Sequence, residues 1–210
     1  ERVLELNGTI ASESWFDDDI TPQMFKEELL SGSGPITIWI NSPGGEVGGL
    51  FECASYIAQA KQTKPIHAHV TGMCCSAAYA LAVACTDITA TETSEIGSIG
   101  VFAQAIDTSE YEKKMGILSR IFRSKNAENK NLSAFTEEGA KDIQAKLDFF
   151  EGKFYDLISE NRGKDKEECI ENFGHGSVFL ASDALERGMV DAISEYGEFM
   201  VKLASSDEEE

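Results

Sequence analysis

Apolar and polar residues alternate from Arg2 to Ile10, the period of a β-strand. Thr21 to Leu30 has helical spacing instead. Thr21 is placed to cap that helix, and Pro22 takes the first helical position, where a missing N–H costs nothing. Pro35–Ile40 (PITIWI) is short and β-branched, as a buried strand is. Asn41-Ser42-Pro43-Gly44-Gly45 then reads as a turn. Val47–Gln62 reads as a helix, with Leu50, Phe51, Ala54, Ile57 and Ala58 apolar.

The unit then repeats: strand Pro65–Val70, turn Thr71-Gly72-Met73, apolar helix Ser76–Ala84, strand Ile88–Thr91. Strand, turn, helix and strand in this order predict right-handed crossovers and a mostly parallel sheet, hence an α/β fold. After Gly97-Ser98-Ile99-Gly100-Val101 the pattern predicts a helix around Ser109–Met115 and a strand at Ser119–Phe122. A polar loop over Lys125–Ser133 follows, then a long amphipathic helix over Thr136–Asn161. Thr136, followed by Glu137 and Glu138, suits that helix's positive N-terminal end. A short helix over Ala181–Arg187 closes at Gly188, and Val190–Ile193 is a last strand. No linker or low-complexity segment interrupts residues 1–210, so a single domain is expected.

Composition narrows the class. Hydrophobic residues make up 42% and charged residues 26%, enough apolar material for a core. The net charge of −19 disfavours nucleic acid and anionic membrane surfaces, because both are bound through Lys and Arg. Part of that charge sits in the Asp17–Asp19 run and in an acidic tail over 204–210, both read as solvated surface. Five cysteines without a CxxC pair read as buried thiols in a reducing compartment. No apolar run is long enough to span a membrane, and no signal peptide is expected.

The candidate chemistry centres on Ser76, between a strand-turn and a helix of small residues. A serine there is either a plain N-cap or a nucleophile whose anionic product meets backbone N–H groups and the helix dipole. The glycines of Ser42-Pro43-Gly44-Gly45 make either a tight turn or a set of backbone donors. Ligand sites in such sheets lie beyond the carboxyl ends of the strands, so the N–H groups of Gly45 and Ala77 can converge on one oxygen. A base is harder to find. His67 and His69 share one face of a strand and read as packing or surface residues, and His175 stands in a Gly-flanked loop far along the chain. A desolvated lysine can replace histidine. Lys125 and Lys130 both qualify, and the residues alone do not choose between them.

INSPGGEV (Ile40–Val47), CSAAYALA (Cys75–Ala82), GSIGV (Gly97–Val101) and FLASDALERGMVDAI (Phe179–Ile193) occur in this order. Together they resemble the signal peptide peptidase (protease IV) family of serine peptidases, most of all its phage capsid-maturation branch. The similarity runs over roughly 35–195. The amino-terminal RVLELNGTI and WFDDDITPQMF segments resemble phage Clp-like head proteases. The resemblance implies a Clp protease/crotonase-like fold of repeated β-β-α units and a Ser-Lys endopeptidase without cofactor or metal. It puts the nucleophile at Ser76 and the base at Lys125, 49 residues on. Ser124 replaces the glycine usual before that lysine, which keeps Lys130 as second candidate. Ser98 matches the serine that orients the lysine, and Gly45 an oxyanion donor. Cys74 and Cys75 stand where small alanines are usual and read as packing. Protein or peptide substrates, a homo-oligomer and a cytoplasmic role in a bacterium or phage-infected cell, in head maturation or signal-peptide-peptidase-like turnover, are what such a family implies. The competing readings are a Clp-type Ser-His-Asp peptidase, a crotonase-like acyl-CoA enzyme and a non-catalytic scaffold on the same fold.

Overall fold

Five parallel strands in the order β1-β2-β3-β4-β7 make the body of the sheet: β1 (Arg2–Ile10), β2 (Ile36–Gly45), β3 (Ile66–Cys75), β4 (Asp87–Ala90) and β7 (Ala192–Ile193). This computed structural model describes residues 2–13, 20–195 and 198; the Asp17–Asp19 run and the acidic tail lie outside the described residues. The chain packs as two compact units, Glu1–Gly100 with Gly152–Glu210, and Val101–Glu151.

In the first unit, β2 and β3 are central because their inward positions are almost all Ile, Val and Ala. Ile36, Ile38, Ile40, Ile66, Ala68 and Val70 are all buried. Helix α1 (Pro22–Leu30) starts at Thr21, whose side chain accepts the Met24 N–H. Helix α2 (Val47–Ala60) buries Leu50, Cys53, Ala54 and Ile57, the spacing of one helical face. A β-carbon added at Gly49 would come 2.9 Å from Pro22 Cγ, so this glycine lets α2 approach the start of α1. Helix α3 (Ala77–Ala84) is buried along its whole length, which explains its run of small apolar residues. Its one large polar side chain, Tyr79, donates to the Met189 carbonyl at 2.9 Å and stacks edge-on with Phe173.

The strands differ from the sequence expectation where it matters most. Asn41–Gly45 and Thr71–Met73 were expected to turn, yet β2 and β3 run straight through them. The strand persists because neighbours claim its backbone: Thr9 and Ile10 of β1 pair with Gly44 and Gly45, across a register shift. β3 also changes partner along its length. His67–Val70 pair with β4, whereas Met73–Cys75 pair with β5 (Glu95–Gly97). β6 (Val178–Leu180) adds antiparallel to β5. These three-residue strands are too short to show a period, and neither was expected.

The second unit holds α4 (Ser109–Lys114) and the first part of α5 (Glu137–Arg162). The strand expected at Ser119–Phe122 does not form. These residues are irregular and exposed, with no ladder partner among the described residues, and β-branched composition alone does not make a strand. The boundary between the units falls within α5, at residues 151 and 152. α6 (Lys166–Asn172) and α7 (Ala181–Arg187) complete the chain, α7 ending at left-handed Gly188.

One ion pair ties the end of α5 to the start of β7. The Arg162 guanidinium reaches both oxygens of Asp191, at 3.1 and 2.7 Å, and Asp191 also accepts the Ile88 N–H. Burial alone would raise the Asp191 carboxyl, but the guanidinium and the N–H outweigh it and hold the group below its ordinary value. A carboxyl lowered on folding adds stability above its unfolded value, about 3.9, and loses it as the pH falls through the folded value. Asp191→Asn is therefore expected to melt below the parent at pH 7, with the gap closing below about pH 4. Equal gaps in Tm at both pH values would refute this.

Candidate active site

Ser76 sits at the junction of β3 and α3. Its backbone is at φ 51° and ψ −122°, a region that L-residues avoid. Such strain costs about 1–3 kcal/mol and persists where surrounding structure enforces it. Two bonds do so here: Ser76 N–H donates to the Gly97 carbonyl at 2.7 Å, and the Ser76 carbonyl accepts from Ala80. The side chain makes no capping bond to α3. Ser76 thus holds the N-cap position of α3 without using its side chain there. A strained strand-to-helix turn that offers a hydroxyl rather than using it locally has the geometry of a nucleophile elbow.

The Ser-Pro-Gly-Gly segment lies directly against it. Gly44 has φ 99°, and a β-carbon there would meet the Cys75 carbonyl at 2.6 Å, Ser76 Cβ at 2.8 Å and Ala77 N at 2.9 Å. Only glycine lets β2 come this near the Ser76–Ala77 peptide. The Gly44 N–H is engaged by the buried Ser42 hydroxyl at 3.1 Å, so Gly44 supplies space rather than a donor. A β-carbon on Gly45 would collide with the Ile10 backbone, and Glu46 N–H donates to the Ile10 carbonyl at 2.8 Å. The Glu46 carboxylate accepts the Ser12 N–H at 3.0 Å and the Ser12 hydroxyl. β1 thus braces the glycine segment. Gly44, which the sequence reading did not single out, makes the close approach to Ser76.

Ser98 is brought to the same place. Cys75 pairs with Gly97, and Gly97 accepts from Ser76, so Ser98 follows the residue that holds the serine backbone. Ser98 is itself left-handed, at φ 52°, and its N–H donates to Ser177 at 2.7 Å. The neighbouring thiols are unsuited to nucleophilic work. Cys74 is pushed well up by burial and by the thiols of Cys75 and Cys85. Cys75 is raised by burial and by Glu95. Both are free and buried.

The histidines of β3 are engaged elsewhere. His67 Nδ1 lies 2.8 Å from Asp87, and His69 Nδ1 lies 2.8 Å from the Thr89 hydroxyl. Burial lowers His69, favouring its neutral form. His69 lies seven positions before Ser76 along β3, on the order of 20 Å of extended chain. Lys125 and Lys130 belong to the second unit, exposed, in a loop that closes on itself. Ala127 N–H donates to Ser124, Lys130 N–H to Ala127, and the Arg123 guanidinium to the carbonyls of Lys130 and Asn131. Among the described residues no group of His, Cys, Asp and Glu is arranged to hold a metal ion.

The comparison with a protein family covers Ser76, Ser98 and both lysines but begins after the Ser42–Gly45 segment. The profile described as Peptidase family S49 matches residues 58–209. The chain is 30% identical to the head-tail preconnector protein GP5 of Enterobacteria phage P21, over 73% of this chain and 31% of that protein. It is 26% identical to the capsid assembly protease C of Escherichia phage lambda, over 75% of this chain and 36% of that protein. The chain therefore spans about a third of the length of these relatives. A ClpP1 mutant from Listeria monocytogenes shares the fold, with a TM-score of 0.59 at 17% identity, over 92% of this chain and 91% of that one.

Proposed function

The chain belongs to Peptidase family S49, and we propose that it is a serine endopeptidase in which Ser76 attacks the scissile carbonyl of a protein substrate. Strained Ser76, whose hydroxyl caps nothing, carries the reading. In this mechanism the Ser76 oxygen adds to the carbonyl carbon as its proton passes to the base. The N–H groups of Gly45 and Ala77 bind the oxyanion so formed. The base returns its proton to the leaving amine, and a water then releases the acyl group from Ser76. Lys125 is the proposed base, with Ser98 hydrogen-bonding its amine.

The protein substrate is proposed to be a phage or prophage head protein. Two observations support this. The relatives include a phage protein named for capsid assembly and another named for the head-tail preconnector. Five free, buried cysteines suit work in the reducing cytoplasm of a bacterium or infected cell. Signal-peptide-peptidase-like turnover is the other family activity, since a putative signal peptide peptidase is also among the relatives. No helix among the described residues is long and apolar enough to cross a membrane.

Fluorophosphonate labelling tests the chemistry. The reagent phosphylates an activated serine, and peptide mapping is expected to place the adduct on Ser76. No adduct on active-concentration protein would favour the scaffold reading, and an adduct on another residue would overturn the assignment.

Self-association is part of the proposal. Leu118 is 96% exposed, Phe102 88% and Phe122 84%, and Ile106, Phe135 and Phe149 are exposed as well. Among the described residues none of the buried core lies between 101 and 151. Apolar surface on this scale marks an interaction site, and a second copy is the proposed partner. Sedimentation velocity at tens of micromolar is expected to show assemblies above the 22.9 kDa monomer; a monomer alone would refute it.

A further inference from the structure

We propose that His175 is a specificity-determining residue of this site, hydrogen-bonding an acceptor side chain of the bound peptide near the scissile bond. The proposal rests on the peptidase reading of Ser76. Far apart in sequence, the two are joined by a short chain of backbone contacts. Ser76 N–H is held by Gly97, and the next residue, Ser98, donates to the Ser177 carbonyl at 2.7 Å. Ser177 N–H closes a four-residue turn onto the Gly174 carbonyl at 2.7 Å, and His175 and Gly176 are the centre of that turn. A β-carbon added at Gly176 would lie 3.9 Å from the Ile99 carbonyl, which sets the turn in van der Waals reach of the Gly97–Val101 segment.

The turn is built to hold its position. His175 at φ 47° and Gly176 at φ 82° are both left-handed, the mark of a type I′ turn that leads into an antiparallel ladder. That ladder follows at once, with Val178 pairing to Gly97. The first central position of such a turn is ordinarily Asn, Asp or Gly. A histidine there keeps a side chain that the turn itself does not need, and this one is exposed. The turn does not require the imidazole, which leaves it free to serve a ligand beside the segment that holds Ser76. An imidazole N–H donates to a carboxylate or an amide carbonyl, so peptides bearing Glu or Gln share the required chemistry.

The test uses His175→Gly, which fits the left-handed turn without strain, and His175→Asn, which keeps a donor there. Matched peptides carry Glu, Gln or Leu at each position flanking the cleaved bond. At one of those positions, His175→Gly is expected to lower kcat/KM about 3- to 10-fold for the Glu and Gln peptides. The Leu peptide is expected to be unchanged, and His175→Asn to restore part of the loss. A loss on Glu alone would restrict the acceptor to a carboxylate and still support the role. Equal losses on all three peptides, or none, would overturn it. Binding of the same peptides to Ser76→Ala protein, with and without His175→Gly, gives a readout independent of catalysis. Loss of discrimination there sustains the role of His175 even if Ser76 proves not to be the nucleophile; unchanged discrimination overturns it.

Discussion

Ser76→Ala is expected to lower kcat for peptide hydrolysis by about 10³-fold or more while leaving the fold intact. The argument for retained folding is local. The Ser76 hydroxyl caps nothing, so its removal costs α3 no hydrogen bond. Alanine keeps the β-carbon, and the strain at φ 51° is unchanged. The backbone bonds to Gly97 and Ala80 do not involve the side chain. Stability should therefore stay within about 0.5 kcal/mol of the parent. Ser76→Gly makes the contrast sharper. It should be equally inactive yet more stable by up to about 1 kcal/mol, because glycine adopts this backbone without steric cost. A protein that becomes more stable as it loses its function is expected when strain is held at a working site. Undiminished hydrolysis by purified Ser76→Ala would end the nucleophile assignment.

The β-α-β core was legible in the sequence because its signals are local. PITIWI, the Leu50/Ala54/Ile57 face and the apolar run after Ser76 each announce an element within about ten residues. What failed was anything set by a distant neighbour. Asn41–Gly45 has turn composition, yet β1 captures its backbone from residues more than thirty positions earlier. β5 and β6 exist only as partners of β3 and of each other. Ser119–Phe122 has strand composition and no partner among the described residues. The site divides in the same way. A serine at a strand–helix junction is visible in the sequence, but its left-handed backbone and the missing cap bond are not. The spacing role of Gly44 could be read only by knowing that Ser76 and Ala77 press on it. His175 read only as a loop histidine, because nothing in its own segment records that Ser98 N–H donates to Ser177.

Lys125→Ala is expected to be nearly as inactive as Ser76→Ala, with Lys130→Ala active, when both are measured in one assay. A serine hydroxyl is a weak nucleophile until a base removes its proton, and an amine accepts a proton only in its neutral form. Activity should therefore rise as the pH rises, following one deprotonation. Raising the pH increases the share of enzyme with a competent base, until alkaline unfolding intervenes. Lys125→Arg should be inactive at every pH, since a guanidinium keeps its charge and cannot take the proton. Ser98→Ala should reduce kcat less than either, because it removes a partner of the base rather than the base. The Arg123 bonds to the Lys130 and Asn131 carbonyls use backbone atoms, so alanine at 125 or 130 leaves that loop closure in place. A dead variant then reports chemistry and not a collapsed loop. If Lys130→Ala is the inactive protein and Lys125→Ala works, the base has been assigned five residues early. If both lysine variants are active while His175→Gly abolishes turnover of every peptide, the Ser-Lys mechanism itself is wrong.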